Sequence, residues 1–188
     1  MDKFLDVEHE IPGASGLTVG AFWSWAYSDV LSNGNRAVFA EFLVGAALGC
    51  LDAPRIEWNA YDLLYCGRKI EVKASAYLQS WQQAKPSQIT FDVGVKYGWD
   101  AAANVMSDVP LRSADCYVFC LYIETEDHAS ARVLDTSRWQ FFVLSTPKMN
   151  ANVRTKRMSL KTLQSLTVPV EYGRVRQQVD AMLPPLLA

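Results

Sequence analysis

Histidine is scarce in this 188-residue chain, which has only 2, His9 near the start and His128 in a charged stretch. Each would need distant partners to build a zinc site or a Ser-His-Asp triad, so neither chemistry is favoured. The 4 cysteines, Cys50, Cys66, Cys116 and Cys120, form no CxxC pair and sit in apolar runs, where free cysteine behaves as a small hydrophobe. A reducing, cytoplasmic setting is the expectation. There is no Gly-rich phosphate loop of either nucleotide-binding type. The longest nearly apolar stretch, residues 37–50, is too short to span a bilayer and carries Glu41 in its middle. The first six residues lack the basic start and apolar core of a signal peptide, so neither membrane anchoring nor export is expected. Repeats, low-complexity tracts and long Pro/Gly/Ser linkers are missing too, which makes one domain over 1–188 the expectation.

What is present is an ordinary folded composition, 50% apolar and 20% charged. A chain of this size buries about 70% of its unfolded surface without a disulfide or metal staple, so a metal here would be functional rather than structural. The net charge of −2 hides an asymmetry: residues 1–128 hold 9 basic and 17 acidic side chains, residues 129–188 hold 9 basic and 3 acidic. The halves are therefore −8 and +6. A basic C-terminal third with Arg154, Lys156, Arg157 and Lys161 suits a polyanion, although such runs also occur as plain solvated faces.

Apolar periodicity predicts a helix over residues 17–31 and a second over 36–48, after a turn-forming Ser32-Asn33-Gly34-Asn35 and ending at Gly49. Residues 61–66 and 69–73 read as hairpin strands around a Gly67-Arg68 turn. Further strands are expected at 89–93, 116–123 and 140–144, and short helices at 159–166 and 172–182. The order implies an α/β fold, a mixed sheet flanked by helices. The aromatics Phe22, Trp23, Trp25 and Tyr27 are expected to pack the first helix against the sheet rather than to stack on bases. Trp81, Trp99 and Trp139 are read as core or loop anchors.

With Gly67-Arg68 as the loop, Leu64 faces Glu71 and Asp62 faces Lys73, and side-chain alternation puts Asp62, Glu71 and Lys73 on one face of the sheet. Asp62 and Glu71 are then diagonal neighbours about 7–8 Å apart, close enough to share one cation. Ile70 and Val72 point the other way, into a core. Mg²⁺ takes hard oxygen ligands and keeps several waters, so the two carboxylates and the Val72 carbonyl suffice as protein ligands. Lys73 projects an ammonium into the same space, where it can orient water or offset charge. Glu41 is the only charge after Arg36 in an otherwise apolar helix, so it must find a cation, a donor or a metal, and under the hairpin it can complete the acidic site. The same residues also admit a plain cross-strand ion pair.

Glu41 in the helix, Asp62 on the first hairpin strand and Glu71-Val72-Lys73 on the second resemble the PD-(D/E)xK nuclease superfamily, with Tyr61 where that motif has proline. The resemblance implies a restriction-endonuclease-like α-β-β-β-α-β core and Mg²⁺-dependent hydrolysis of a phosphodiester, with Mn²⁺ as a possible substitute. In that scheme Asp62 and Glu71 hold the ion with the Val72 carbonyl, Lys73 positions the attacking water, and Glu41 is an accessory ligand or base. Ser75 and Gln79 follow as candidates for phosphate or water contacts, and Arg154, Lys156 and Arg157 for backbone phosphates. The expected partner is nucleic acid, DNA first; a homodimer would supply two sites for cutting a duplex. The alternative is a catalytically silent nucleic-acid- or protein-binding module of the same fold.

Overall fold

The computed structural model describes residues 4–100, 104–126 and 132–183; His128 lies outside them. In chain order the elements are α1 (Val19–Tyr27), α2 (Asn33–Leu48), β1 (Leu63–Tyr65), β2 (Arg68–Ala76), β3 (Thr90–Asp92), β4 (Trp99–Asp100), β5 (Val105–Met106), β6 (Cys116–Tyr122) and β7 (Trp139–Ser145). Then come α3 (Thr146–Asn152), β8 (Arg157–Ser159), α4 (Leu160–Leu166) and α5 (Val175–Met182), with single 3-10 turns at Thr136–Arg138 and Tyr172–Arg174. A central mixed sheet runs β1-β2-β6-β7, with β2 and β6 parallel and the outer pairs antiparallel. β3 pairs with β8 and β4 with β5 in separate two-stranded ribbons.

The period-2 alternation of the central strands divides the apolar residues between two cores. Cys116, Val118, Cys120 and Tyr122 of β6 join Ile70 and Val72 of β2, Ala40, Val44 and Leu48 of α2, and Val175 and Val179 of α5 on one face. Tyr117, Phe119 and Leu121 join Phe91, Met149, Met158 and Leu163 on the other. The sheet is thus flanked by helices, as the sequence implies. On this second face β2 presents Glu71, Lys73 and Ser75 instead of apolar groups, and there the apolar cover gives way to an open cleft.

α2 begins at Asn33, not Arg36, because Ser32 takes the extended N-cap conformation and Asn33-Gly34-Asn35 form the first turn. It ends as expected at Gly49, whose left-handed φ of 71° lets its N–H bond the carbonyls of Gly45 and Ala46. α1 is shorter than expected and does not bury its aromatics: Trp25 is 84% exposed, and Phe22 and Tyr27 are about half exposed. At 100° per residue, positions 22, 23, 25 and 27 spread around the helix, so no single face can bury them together. Trp81 is also exposed, Trp99 is half-buried, and Trp139 is core, its Nε1 donating to the Val133 carbonyl at 2.8 Å. Cys66 sits exposed at a turn rather than in an apolar run.

The hairpin register also differs from expectation. Leu63, Leu64 and Tyr65 pair with Ile70, Lys69 and Arg68, so the two-residue loop is Cys66-Gly67. Both loop residues have positive φ, 48° and 76°, which the type I′ hairpin requires; Gly67 is therefore the second loop residue, not the first. The shift is two residues, so every paired side chain keeps its face, and the pairing ends at Leu63 with Ile70, just before Asp62, which does not face Lys73.

Candidate functional site

Asp62 directly precedes β1, and its N–H donates to the carbonyl of Ile70, the register partner of Leu63, at 3.1 Å, so the regular pairing ends there. Its side chain turns back onto β2, where Oδ2 accepts the Val72 N–H at 2.6 Å. A residue's N–H and C=O point to the same side of a strand, so the Val72 carbonyl lies on the edge that Asp62 occupies. Glu71 and Lys73 stand on one face of β2, half-buried, and the Lys73 ammonium donates to Glu71 Oε1. Glu41 is buried at 7% exposure, and Arg55 grips both its oxygens, Nη2 to Oε1 at 3.0 Å and Nε to Oε2. The cation that a carboxylate in an apolar helix needs is therefore Arg55, a residue with no signal in the sequence beyond its charge.

These groups line one cleft of about 640 Å³. Its floor holds Asp62, Glu71, Val72 and Lys73; Glu41 and Arg55 form one wall, and Thr90, Phe91 and Asp92 of β3 another. Trp58 and Tyr97 stand at its rim, 79% and 60% exposed, with Lys96 nearby. Glu41, Arg55, Asn59 and Asp62 also line an adjoining, largely apolar cleft of about 760 Å³, so the acid wall is approachable from two sides.

The electrostatics follow from crowding. Burial, then the charges of Glu71 and Glu41, push the Asp62 carboxyl up to about 7, against the pull of the Val72 N–H and the Lys73 charge. For Lys73, burial acts to lower the pKa, but the Glu71 charge and hydrogen bond, with Asp62 and Asp92 behind them, outweigh it and hold the ammonium above the usual lysine value. Lys73 is thus a cation at neutral pH, a donor and counter-charge rather than a base. The hydrogen bond to Glu41 likewise holds the Arg55 guanidinium above its ordinary value.

Of the residues singled out in the sequence, Glu41, Asp62, Glu71, Val72 and Lys73 come together in this cleft. Ser75 continues the same face of β2, but the lining on that strand ends at Ala74. Gln79 is tied into structure: its Oε1 accepts from Arg36 Nη1 at 3.1 Å and its Nε2 donates to the Ala76 carbonyl at 3.1 Å. Arg154, Lys156 and Arg157 are exposed, outside the cleft lining but one strand away from it: Arg157 is the register partner of Asp92, and the Lys156 carbonyl accepts the Val93 N–H at 2.8 Å. Asp92, Lys96, Trp58 and Tyr117 line the cleft without having been singled out, since only the pairing of distant strands and loops brings them there. Among the described residues no group of three or more His, Cys, Asp or Glu is assembled as a metal cage, so any metal would rest on the carboxylate pair and backbone oxygen. No helix among the described residues is long and apolar enough to cross a membrane.

Sheet and cleft define a mixed α/β protein with an acidic, lysine-bearing site on a hairpin. The family model for bacteriophage T4 endonuclease IV matches residues 24–161, more than two thirds of the chain, and the chain belongs to that family. The match takes in Glu41, Asp62, Glu71 and Lys73 as well as the basic stretch at 154–157. The chain is therefore a nuclease of the endonuclease type, with nucleic acid as its substrate class. A comparison with curated proteins finds no match.

Proposed function

We propose that this protein is a divalent-metal-dependent endonuclease of the PD-(D/E)xK type that hydrolyses phosphodiester bonds of DNA at the Asp62/Glu71/Lys73 cleft. The observation that carries the reading is the convergence of Asp62, Glu71 and Lys73 in one open cleft, with Asp62 holding the Val72 N–H and Lys73 donating to Glu71, in an endonuclease-family chain. The donor set fits Mg²⁺: two carboxylates and an edge carbonyl are hard oxygen ligands, and the Glu71 charge that raises the proton affinity of Asp62 favours a cation between them. Asp62, Glu71 and the Val72 carbonyl would hold the ion, with Mn²⁺ able to replace it, and Glu41, neutralised by Arg55, would act from behind Asp62. When bound, such an ion supplies Lewis acidity at the phosphoryl oxygen and acidifies water. The chain's own part is then positional. The Lys73 ammonium donates to the attacking water or to a non-bridging phosphate oxygen, and Glu71 fixes the direction of that ammonium. The exposed Arg154, Lys156 and Arg157 neutralise backbone phosphates flanking the cleft. Ser75 and Gln79 have a supporting place, Gln79 through Arg36 at the start of α2.

The test is cleavage of supercoiled plasmid, linear duplex, single-stranded DNA and RNA by the wild type and Glu71→Ala, each with Mg²⁺, Mn²⁺ or EDTA. Metal-dependent cleavage lost in Glu71→Ala is the expected result. Equal cleavage by both proteins, or cleavage in EDTA, overturns it.

A further inference from the structure

β6 places Tyr117 beside Glu71: the two are register partners in the parallel β2-β6 pair, and their side chains share the face that opens into the cleft. Tyr117 is 4% exposed, and its ring stands at the end of a short aromatic row. It stacks on Phe119 with centroids 5.9 Å apart and planes at 17°, and Phe119 meets Phe91 edge-on at 5.0 Å. The position of the phenol is therefore fixed by core packing rather than by a polar partner.

A buried tyrosine hydroxyl is normally hydrogen-bonded. Tyr65 in this chain obeys the rule, donating to Asp180 Oδ1 at 2.8 Å and accepting from Arg176 Nε at 3.3 Å. Among the described residues the Tyr117 hydroxyl makes no such bond, yet it is not among the sealed, unsatisfied polar atoms, so it opens on the cleft. The charged groups facing it are Glu71, Asp62 and Asp92 together with Arg112. Arg112 is already committed to the Val93 carbonyl, to Asn150 Oδ1 and to the Val153 carbonyl. A rigid, unpartnered phenol beside the acid pair is a donor held ready for an anion that enters the cleft.

We propose that Tyr117 is a catalytic residue, whose hydroxyl donates a hydrogen bond to a non-bridging oxygen of the scissile phosphate in the cleft that Asp62, Glu71 and Lys73 line, from its β6 side and opposite the hairpin edge. The inference rests on the function proposed above. A phenol keeps its proton at neutral pH, so its part is to stabilise charge that grows on the phosphoryl oxygens, in a fixed geometry that needs no rearrangement.

The experiment compares the wild type, Tyr117→Phe and Glu71→Gln on a DNA oligonucleotide the wild type cleaves and on its two phosphorothioate diastereomers at the cleaved bond. Tyr117→Phe removes only an oxygen with no protein partner, so its unfolding midpoint in denaturant is expected to equal or exceed that of the wild type. Its kcat is expected to fall about 10- to 100-fold with KM little changed, the loss of one hydrogen bond to a charged group. Sulfur at the contacted oxygen weakens the same bond, so one diastereomer slows the wild type while Tyr117→Phe shows a much smaller additional effect. A merely structural Tyr117 would lower the unfolding midpoint and leave the sulfur effect equal in both proteins, overturning the proposal. Wild-type kcat in Tyr117→Phe with an inactive Glu71→Gln also overturns it while leaving the site intact. An active Glu71→Gln overturns the site reading and this inference with it.

Discussion

Asp62 couples the proposed site to stability in a way that needs no substrate. Its carboxyl rises from 3.8 to about 7 in the folded protein, first through burial and then through Glu71 and Glu41. Well below pH 3.8 the group is protonated in both the folded and unfolded states and carries no penalty. As pH rises the unfolded chain releases the proton first, and folding is weakened until the folded carboxyl has ionised as well, above about pH 7. At about 1.4 kcal/mol per pKa unit the full effect is at most about 4 kcal/mol, of which about 2–3 kcal/mol falls between pH 5 and pH 8. Asp62→Asn removes the titration, and its amide oxygen can still accept the Val72 N–H while its amino group faces Glu71. Urea unfolding in EDTA should therefore find the variant more stable than the wild type at pH 8, with a difference that shrinks toward pH 5. An equal pH dependence in the two proteins, or a variant less stable at pH 8, would refute the crowding of these acids.

Other expectations concern single groups. Lys73→Ala should abolish cleavage while the far-ultraviolet circular dichroism stays near wild type and the unfolding midpoint at neutral pH falls, since Glu71 and Asp62 lose their counter-charge; an unchanged rate removes Lys73 from the chemistry. Arg55→Ala leaves the buried Glu41 carboxylate without its cation, and since Arg55 is over a third exposed the expected cost in denaturant unfolding is a discounted ~1–2 kcal/mol. Cys66→Asn supplies a residue that tolerates the 48° φ of the hairpin loop and should stabilise the protein by about 0.5–1 kcal/mol without changing activity, read by thermal unfolding and a cleavage assay. Neutralising Arg154, Lys156 and Arg157 together should weaken DNA binding and flatten the slope of log affinity against log salt by about 2–3, measured by fluorescence anisotropy. An unchanged slope would move the phosphate contacts elsewhere.

The central strands and α2 were legible because local signals agree there: β-branched and aromatic runs mark β6 and β7, and Gly49 ends α2. β8 and α3 were not, since Arg157–Ser159 carries no alternation of its own and becomes a strand only by pairing with β3. Arg55, Asp92 and Tyr117 were hidden for the same reason: they reach the cleft through a loop, a ribbon and a parallel crossover, none of which a local pattern encodes. The hairpin shows what protected the central assignment. Reading Gly67-Arg68 as the loop put the register off by two, because the need for positive φ at both loop positions selects Cys66-Gly67. A period-2 structure forgives an even error: Glu71 and Lys73 keep their common face, and Asp62, just beyond the last pair, still reaches the same cleft through its bond to the Val72 N–H. An odd error would have turned Ile70 and Val72 outward and buried the two acids, an arrangement that the adjoining apolar residues of α2 and α5 could not accommodate. The demand that Ile70 and Val72 enter the core, and not the motif itself, is what holds the acids and the lysine in the cleft.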